Sequence, residues 1–461
     1  MTLVDEQVQR GREGRKAAGR SSHGDWAPAS DREDPVAVLE RQGTTRVQQL
    51  LPLRYGRMLA SPFAFYRGAA AIMAADLAGT SASGIEVQAC GDAHLLNFGI
   101  FAAPDRRLVF DLNDFDETLP GPWEWDVKRL AASVEIACRD RGFSPADAEQ
   151  AVLAVVRQYR EGAAGFAALG NLDVWYTRLD VDALIDYFAQ TGTDAQVKAV
   201  RKVQQKALRK TSLRAVERLT EKVDGRLRFR RQPPVLVPVS DLLDASDAEL
   251  LQSRLHRLLE SYRRSLTAEH AHLLDGYRVA DMAHKVVGVG SVGTRAWVIL
   301  LEGRDAGDPL VLQAKEAQAS VLEAHLRRSA HRSHGKRVVL GQRLVQAASD
   351  IFLGWERVTG IDGLERDFYV RQLWDGKGSV DISTALPPGM TKYAQLCGLA
   401  LARAHARSGD RVAIAAYLGH SDRFDRAIAA FARAYADQNE LDHRALQDAV
   451  AEGRIEATPD V

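Results

Sequence analysis

The sequence predicts an α+β fold in two lobes, a small antiparallel sheet set into a larger helical body. Three observations lead there. Helical patterns dominate residues 36–275 and return over 376–461, whereas 276–375 is a series of strand-like runs separated by Gly- and Pro-containing turns. The chain has 461 residues, enough for two or three domains or one large bilobal unit. Its hydrophobic content of 46% and charged content of 26% are ordinary for a globular protein with a sizeable core.

Taken in order, residues 1–35 are rich in Arg, Gly, Ser and Asp with almost no apolar periodicity, and read as a flexible tail. AFYRGAAAIMAADLAG (64–79) is Ala-rich, ends in Gly79 and reads as one helix. IEVQACGDAH reads as a strand running into a loop. NFGIFAAPDRRLVFDLNDFDE reads as a hairpin turning at Pro104 and Asp105. WEWDVKRLAASVEIACRD (123–140) puts Val127, Leu130, Val134 and Cys138 on one helical face. Ser144, Pro145 and Asp147 signal the next helix start.

Residues 171–275 are mostly helical by pattern, interrupted by RQPPVLVPVSD. From Tyr277 the pattern becomes strand-like: YRVADMAHKVVGVGSVGTRAWVILLEG, LVLQAKEA, IFLGWERV and DFYVRQLW. KYAQLCGLALARAHA (392–406), begun by Thr391, reads as an amphipathic helix. The domains are therefore expected to be a tail (1–35), a helical lobe (36–275), a β-rich lobe (276–375) and C-terminal helices that rejoin the helical lobe (376–461).

Net charge is +0 at neutral pH, which gives no global electrostatic argument for nucleic acid or an anionic membrane as a partner. Cys90, Cys138 and Cys397 are far apart and odd in number, so a reducing cytoplasm is expected. The N-terminus carries no apolar h-region, and no run approaches the roughly 20 apolar residues of a membrane span. Oligomeric state is left open.

GVGSVG (288–293) matches GxGxxG. A dinucleotide fold would need a helix directly after the glycines. TRAWVILLEG follows instead, with branched and aromatic residues and no helix start. Strand, glycine turn, strand fits a loop whose amides lie over a nucleotide's phosphates, because glycine has no Cβ. In that arrangement a lysine on the next strand meets the phosphates, and VLQAKEA supplies Lys315. A plain hairpin with a surface lysine is the alternative.

GDAHLLNFG (91–99) and the following FDLNDFDE gather carboxylates and an amide. Phosphoryl transfer needs one carboxylate at the attacking hydroxyl, and a second carboxylate and an amide to hold Mg²⁺ against the phosphates. Asp92 with Asn97 gives the first carboxylate and the amide on one loop. Asp114 gives the second carboxylate, and hard oxygen donors suit Mg²⁺.

These stretches resemble the loops of aminoglycoside phosphotransferases and choline kinases, which carry a GDxHxxN motif and then D-[FW]-[ED]. GPWEWDVKRLA (121–131) is similar to a further element of those families, with Asp126 lying 126 − 114 = 12 positions after Asp114. The resemblance implies a protein-kinase-like fold using ATP and Mg²⁺. Asp92 would be the catalytic base, and Asn97 and Asp114 would hold the metal. Gly288, Gly290, Ser291 and Gly293 would cover the phosphates and Lys315 would contact them. Glu323 is favoured over Glu316 as the partner of Lys315, since Glu316 points to the opposite face of its strand. In ordinary kinase-like proteins the glycine loop comes first. Here Asp92 precedes Gly288 by almost two hundred positions, so the order reads as circularly permuted.

Over most of its length the chain also resembles an uncharacterised bacterial family, the domain of unknown function numbered 2252. The matching stretches include SPFAFYRGAA, GDAHLLNFG, FDLNDFDE, VVGVGSVGTRAW, GQRLVQAASDIFLGW and LARAHARSGD.

Other residues carry blander expectations. His94 is expected to hold its loop through hydrogen bonds, Asp126 to cap a helix or brace the loop, and His405 to be a helix-end residue suited to the dipole. Asp111 is expected to face away, while Asp116 is a possible further ligand. The arginines of FYRG and HARSGD are assigned structural roles. Three activities compete. One is a phosphotransferase on a small-molecule or protein hydroxyl, with nucleotidyl transfer as its variant. Another is a metal phosphoesterase using Asp92 and His94, for which the required GNH motif is absent. The third is a catalytically silent nucleotide-binding protein. The adenine is expected near FYVRQL and the acceptor among the helices between 145 and 275.

Overall fold

The computed structural model describes residues 2–191, 194–209, 212–241, 258–286, 292–359, 363–373, 376–378 and 380–458. The chain opens with helix α1 (Leu3–Ala17), closed by a capping box between Thr2 and Asp5. The expected flexible tail is thus an ordered helix packed on the later helix Arg411–Leu418. It binds through small residues instead of an apolar stripe. A Cβ on Gly11 would come within 2.3 Å of the Ala413 carbonyl oxygen, so two backbones touch where larger side chains would normally interdigitate. The helix expected over 64–79 breaks at Ala69 into Pro62–Gly68 and Ala70–Ala78.

Strand β1 (Glu86–Ala89) pairs antiparallel with β4 (Leu119–Pro122), and between them the expected hairpin forms from β2 (Phe98–Ala102) and β3 (Leu108–Leu112). Helices α2 (Trp123–Asp140) and α3 (Pro145–Ala167) follow, the second capped by Ser144 as its sequence signals. The stretch read as mostly helical also contains a hairpin, β5 (Thr220–Val223) and β6 (Arg226–Phe229). Asp224 and Gly225 turn it with positive φ, the usual chemistry of a tight hairpin turn. After it, β7 (Leu236–Pro238) becomes an edge strand.

The β-rich region forms one antiparallel sheet from β8 (Arg278–Lys285), β9 (Ala296–Glu302), β10 (Pro309–Ala317), β11 (Gly354–Thr359) and β12 (Glu365–Gln372). Its order is β11-β12-β10-β9-β8-β7. Helix α4 (His334–Val345) sits between β10 and β11 in the chain and packs on the sheet. The chain then returns through α5 (Pro387–Ser408), α6 (Arg411–Leu418) and α7 (Arg423–Ala451). Helix α5 starts four residues before Thr391, because Pro387 and Pro388 have helix-ready φ and need no amide partners. It packs along α3. The main core lies here, joining Val134, Val155, Tyr159, Leu401 and Phe431, while Ile299, Leu312, Phe368 and Val370 form a separate core in the sheet. Among the described residues, no helix is long and apolar enough to cross a membrane.

Helix α2 is enclosed on nearly all sides, Lys128 included. Its Nζ has no hydrogen-bond partner among the described residues and lies 5.0 Å from the Phe431 ring centroid. Burial pushes the ammonium down to about 8, against an ordinary 10.5, with Glu124 pulling weakly the other way. The unfolded chain therefore binds more protons between pH 8 and 10.5, so the cost is fully present below about pH 8 and is relieved as pH rises. Lys128→Met is expected to stabilise the protein by about 2–3 kcal/mol at pH 7, and by progressively less toward pH 10. Urea midpoints of both proteins at pH 7 and 9.5 check this.

Candidate active site

The site is built from two acidic loops facing the sheet. The first, Cys90–Asn97, follows β1 and is fixed by Asp126 in the first turn of α2. The Asp126 carboxylate accepts the backbone N–H of Cys90 (2.7 Å) and of Gly91 (2.9 Å). His405 Nε2 lies 3.2 Å from the same carboxylate, and its Nδ1 lies 2.8 Å from the Tyr159 hydroxyl. Asp126 thus braces the loop. His405 does more than end a helix: it is buried as the link between that brace and α3.

Asp92 Oδ1 accepts two hydrogen bonds from Arg129, from Nε (2.9 Å) and Nη2 (2.7 Å). The guanidinium also lies over the Tyr66 ring, 3.9 Å from its centroid. His94 Nε2 is 3.9 Å from the other Asp92 oxygen. Burial pushes His94 down to about 4, so the ring is neutral at neutral pH. Arg67, of FYRG, has a buried Nε with no partner among the described residues, and Asp92 acts on it by charge.

The second loop follows β3 and carries Asp114, Asp116 and Glu117. Asn97 ties the loops together: its Nδ2 donates to the carbonyls of Asp92 (2.9 Å) and Asp114 (3.0 Å). That leaves Asn97 Oδ1 buried with no hydrogen-bond partner among the described residues, and Asp114 Oδ1 and Asp116 Oδ1 are in the same condition. Glu117 Oε2 accepts the Val321 amide (2.7 Å), and burial pushes this carboxyl up to about 7. Asp111, expected to face away, is buried on β3, where Arg403 donates to both its oxygens (2.7 and 2.8 Å) and Asp111 Oδ2 caps the Ala347 amide.

Lys315 comes from β10 and is 3% exposed. Its Nζ contacts Asp116 Oδ2, is 3.8 Å from Asp114 Oδ1 and lies 5.8 Å from the Tyr369 ring centroid. Burial works to lower this ammonium, and the charges of Asp114 and Asp116 outweigh it and raise it above the ordinary lysine value. Burial likewise works to raise the Asp114 carboxyl. Lys315, Arg371 and Lys377 outweigh that and hold it below its ordinary value.

Glu316 faces the other side of the strand, toward Arg295 and Arg366. Glu323 is not brought to Lys315. It lies on a short 3-10 turn, accepts the Ser320 amide (3.3 Å), and its carboxylate is 3.8 Å from Arg337 Nε. Arg337, on α4, instead holds the acidic loop by its backbone, donating to the carbonyls of Thr118 (2.6 Å) and Asp116 (2.8 Å).

Gly288, Gly290 and Ser291 lie outside the described residues. Gly293 is described: its carbonyl accepts the Val47 amide (2.8 Å), and Arg46 Nη1 donates to the Val292 carbonyl (2.5 Å). This end of the glycine turn therefore docks on the segment before the helix Leu51–Leu59. A cavity of about 210 Å³ opens there, lined by Arg46, Asp116, Glu117, Thr294 and Glu316 among others. In β12, the strand of FYVRQL, residues 367–370 pair with both β10 and β11, and beyond them the Gln372 amide is already taken by the Asp350 carboxylate. An apolar cavity of about 130 Å³ lies between the β2–β3 hairpin and the helices Val181–Thr191 and Asp194–Arg209.

Three cations were not singled out by the sequence reading: Arg129, Arg371 and Lys377. Arg371 Nη1 donates to the Asn113 carbonyl (3.3 Å) and its guanidinium is 5.7 Å from the Tyr369 ring centroid. Burial and Arg371 push the Lys377 ammonium down to about 7.

Among the described residues, no group of three or more His, Cys, Asp or Glu side chains is arranged to hold a metal ion. The unmet oxygens of Asn97, Asp114 and Asp116 suit Mg²⁺ all the same. Mg²⁺ takes one or two carboxylates and completes its shell with water and phosphate.

A family described as an uncharacterized protein conserved in bacteria, DUF2252, matches residues 46–449. No curated protein and no solved structure matches.

Proposed function

Since the chain belongs to the bacterial family DUF2252, whose description names no activity, we propose from the site itself that it is an ATP- and Mg²⁺-dependent phosphotransferase. Its acceptor would be a hydroxyl on a small molecule or protein. The observation that carries this reading is the approach of Lys315 to Asp114 beside buried acceptor oxygens that have no hydrogen-bond partner among the described residues. A buried acceptor left unpaired is costly, and a site that regularly receives a cation offsets that cost.

The topology supports the same reading. In kinase-like proteins a glycine-rich loop covers the phosphates and the lysine stands on the third strand of the sheet. Here the glycine-rich sequence falls between β8 and β9 in chain order, Lys315 is on β10, and α4 follows before β11. The fold would then be a kinase-like one in circularly permuted order, with the acidic loops supplied from before the sheet.

Asn97 Oδ1 and Asp114 would hold Mg²⁺, which when bound would neutralise charge on the nucleotide's phosphates. Lys315 would contact those phosphates, exchanging part of its pairing with Asp116 for them. Asp92, held at a fixed angle by Arg129, would orient the acceptor hydroxyl and take its proton. Phosphoryl transfer asks little covalent chemistry of a protein, so positioning and charge carry most of the rate.

The test is product analysis after incubation with Mg·ATP. Slow release of ADP and phosphate in the absence of an acceptor supports phosphoryl transfer, and diphosphate release would point to nucleotidyl transfer instead. Asp92→Asn is expected to lower the rate by about a hundredfold or more while leaving ATP affinity within a few-fold. No turnover in the wild type, or turnover unchanged in Asp92→Asn, would contradict the assignment.

A further inference from the structure

The sheet and the helical lobe are joined after β12 by a segment that includes Gly376, Lys377 and Gly378. This connection is pinned to the acidic hairpin. Ile100 N–H donates to the Gly378 carbonyl (2.7 Å) and Gly378 N–H donates back to the Ile100 carbonyl (2.8 Å), so a single antiparallel bridge ties the segment to β2. Gly376 has φ +65°, and a Cβ there would come within 2.8 Å of the Ala102 amide nitrogen. A larger residue would push the connection off the hairpin.

A Cβ on Gly99 would meet both the Asn113 amide nitrogen (2.5 Å) and the Gly378 carbonyl oxygen (2.7 Å), so the connection runs beside Asn113, the neighbour of Asp114, and the residue it carries between its two glycines is a cation. Lys377 and Asp114 act on each other by charge, and Arg371 and Lys315 share the same space. Lys377 has no hydrogen bond or ion pair among the described residues. Its remaining acidic neighbour, Asp350, already accepts the amides of Phe352 and Gln372. Lys315, by contrast, has Asp116, and Arg371 has the Asn113 carbonyl.

Charge counting says what the pocket receives. Lys315 and Arg371 are full cations and Lys377, pushed down to about 7, is partly protonated at neutral pH; against Asp114, Asp116 and Asp350 the pocket lies between 2 − 3 = −1 and 3 − 3 = 0. Entry of a divalent cation makes it net positive, which suits a polyanion and favours the charged form of Lys377 once that polyanion is bound.

Resting on the phosphotransferase reading above, we propose that Lys377 is a phosphate-binding residue for the polyphosphate tail of the nucleotide. It acts from the connection between the lobes, so that holding the tail also holds the sheet against the acidic loops. A role limited to balancing Asp114 makes a different prediction: its loss would leave polyphosphate affinity unchanged or strengthen binding of Mg²⁺ alone.

The experiment is calorimetric titration of wild type, Lys377→Met and Lys377→Arg with Mg·ATP, Mg·tripolyphosphate, adenosine and MgCl₂, with thermal melts to confirm folding. Lys377→Met is expected to weaken Mg·ATP and Mg·tripolyphosphate by roughly tenfold or more, leave adenosine and Mg²⁺ unchanged, and be rescued by Lys377→Arg to within about threefold. Unchanged tripolyphosphate affinity in a folded Lys377→Met overturns the proposal while the phosphotransferase reading stands. Equal weakening of adenosine overturns it too, since the residue would then serve the scaffold. A wild type that binds neither Mg·ATP nor Mg·tripolyphosphate removes both.

Discussion

Lys315→Met is expected to lower nucleotide turnover by about a hundredfold to a thousandfold, with the fold intact. Lys315 is 3% exposed on β10 and is the counter-charge of both Asp114 and Asp116. Methionine keeps the apolar stem that packs toward Tyr369 but removes the charge. Two effects follow. On the proposed function, the nucleotide's phosphates would lose a buried ammonium whose attraction is little screened by water. The Asp114 carboxyl, held down chiefly by Lys315 against burial, rises toward its ordinary range and becomes a poorer cation ligand at mildly acidic pH. Lys315→Arg is expected to recover less than half of the lost rate, because a planar fork does not replace a point charge between two carboxylates. Initial rates against ATP concentration check this. Turnover within a few-fold of wild type in Lys315→Met would show that the lysine–aspartate contact is only structural.

The second large effect concerns a pair never in contact with the proposed ligands. Arg403→Met is expected to cost about 3–5 kcal/mol of stability. Arg403 and Asp111 are buried to 0% and 1% side-chain exposure, and Arg403 also donates to the Val345 carbonyl. The pair therefore joins three elements, β3, α4 and α5, at the root of the acidic loop. Removing the arginine leaves a carboxylate in the core without its partner. The double variant Arg403→Met/Asp111→Leu is expected to regain most of the loss, since neither charge then remains to be desolvated. Chemical denaturation of wild type, single and double variants measures both. Equal stability of the single and double variants would mean that the arginine contributes by packing alone.

Much of the frame was legible in the sequence because it is local. Pro104 and Asp105 mark the β2–β3 turn, Ser144 caps α3, and the Val-rich runs after Tyr277 become β8, β9 and β10. The acidic loops were legible for the same reason, since Asp92 and Asn97 stand on one turn of chain. The bracing role expected of Asp126 is met by its two amide bonds, although spacing alone could not say which amides.

What was illegible is long-range. Arg403 and Asp111 lie 292 positions apart, and a buried arginine has the same letter as a solvated one. Arg371 and Lys377 carry no motif of their own, and only the fold brings their charge to bear on Asp114. Helix α1 was missed because glycine contacts leave no apolar periodicity to read. The β5–β6 hairpin did leave a signal, Asp224–Gly225, between runs too short and too charged to suggest strands.

The most direct test of the site is calorimetric binding of ATP with and without Mg²⁺, on wild type and on Asp114→Ala. Asp114 presents a buried oxygen with no hydrogen-bond partner among the described residues, so it is the group whose loss a metal would register most strongly. Binding that requires Mg²⁺ in the wild type and falls by at least about tenfold in Asp114→Ala is the predicted result. ATP binding that ignores Mg²⁺, or that survives unchanged in Asp114→Ala, would contradict it.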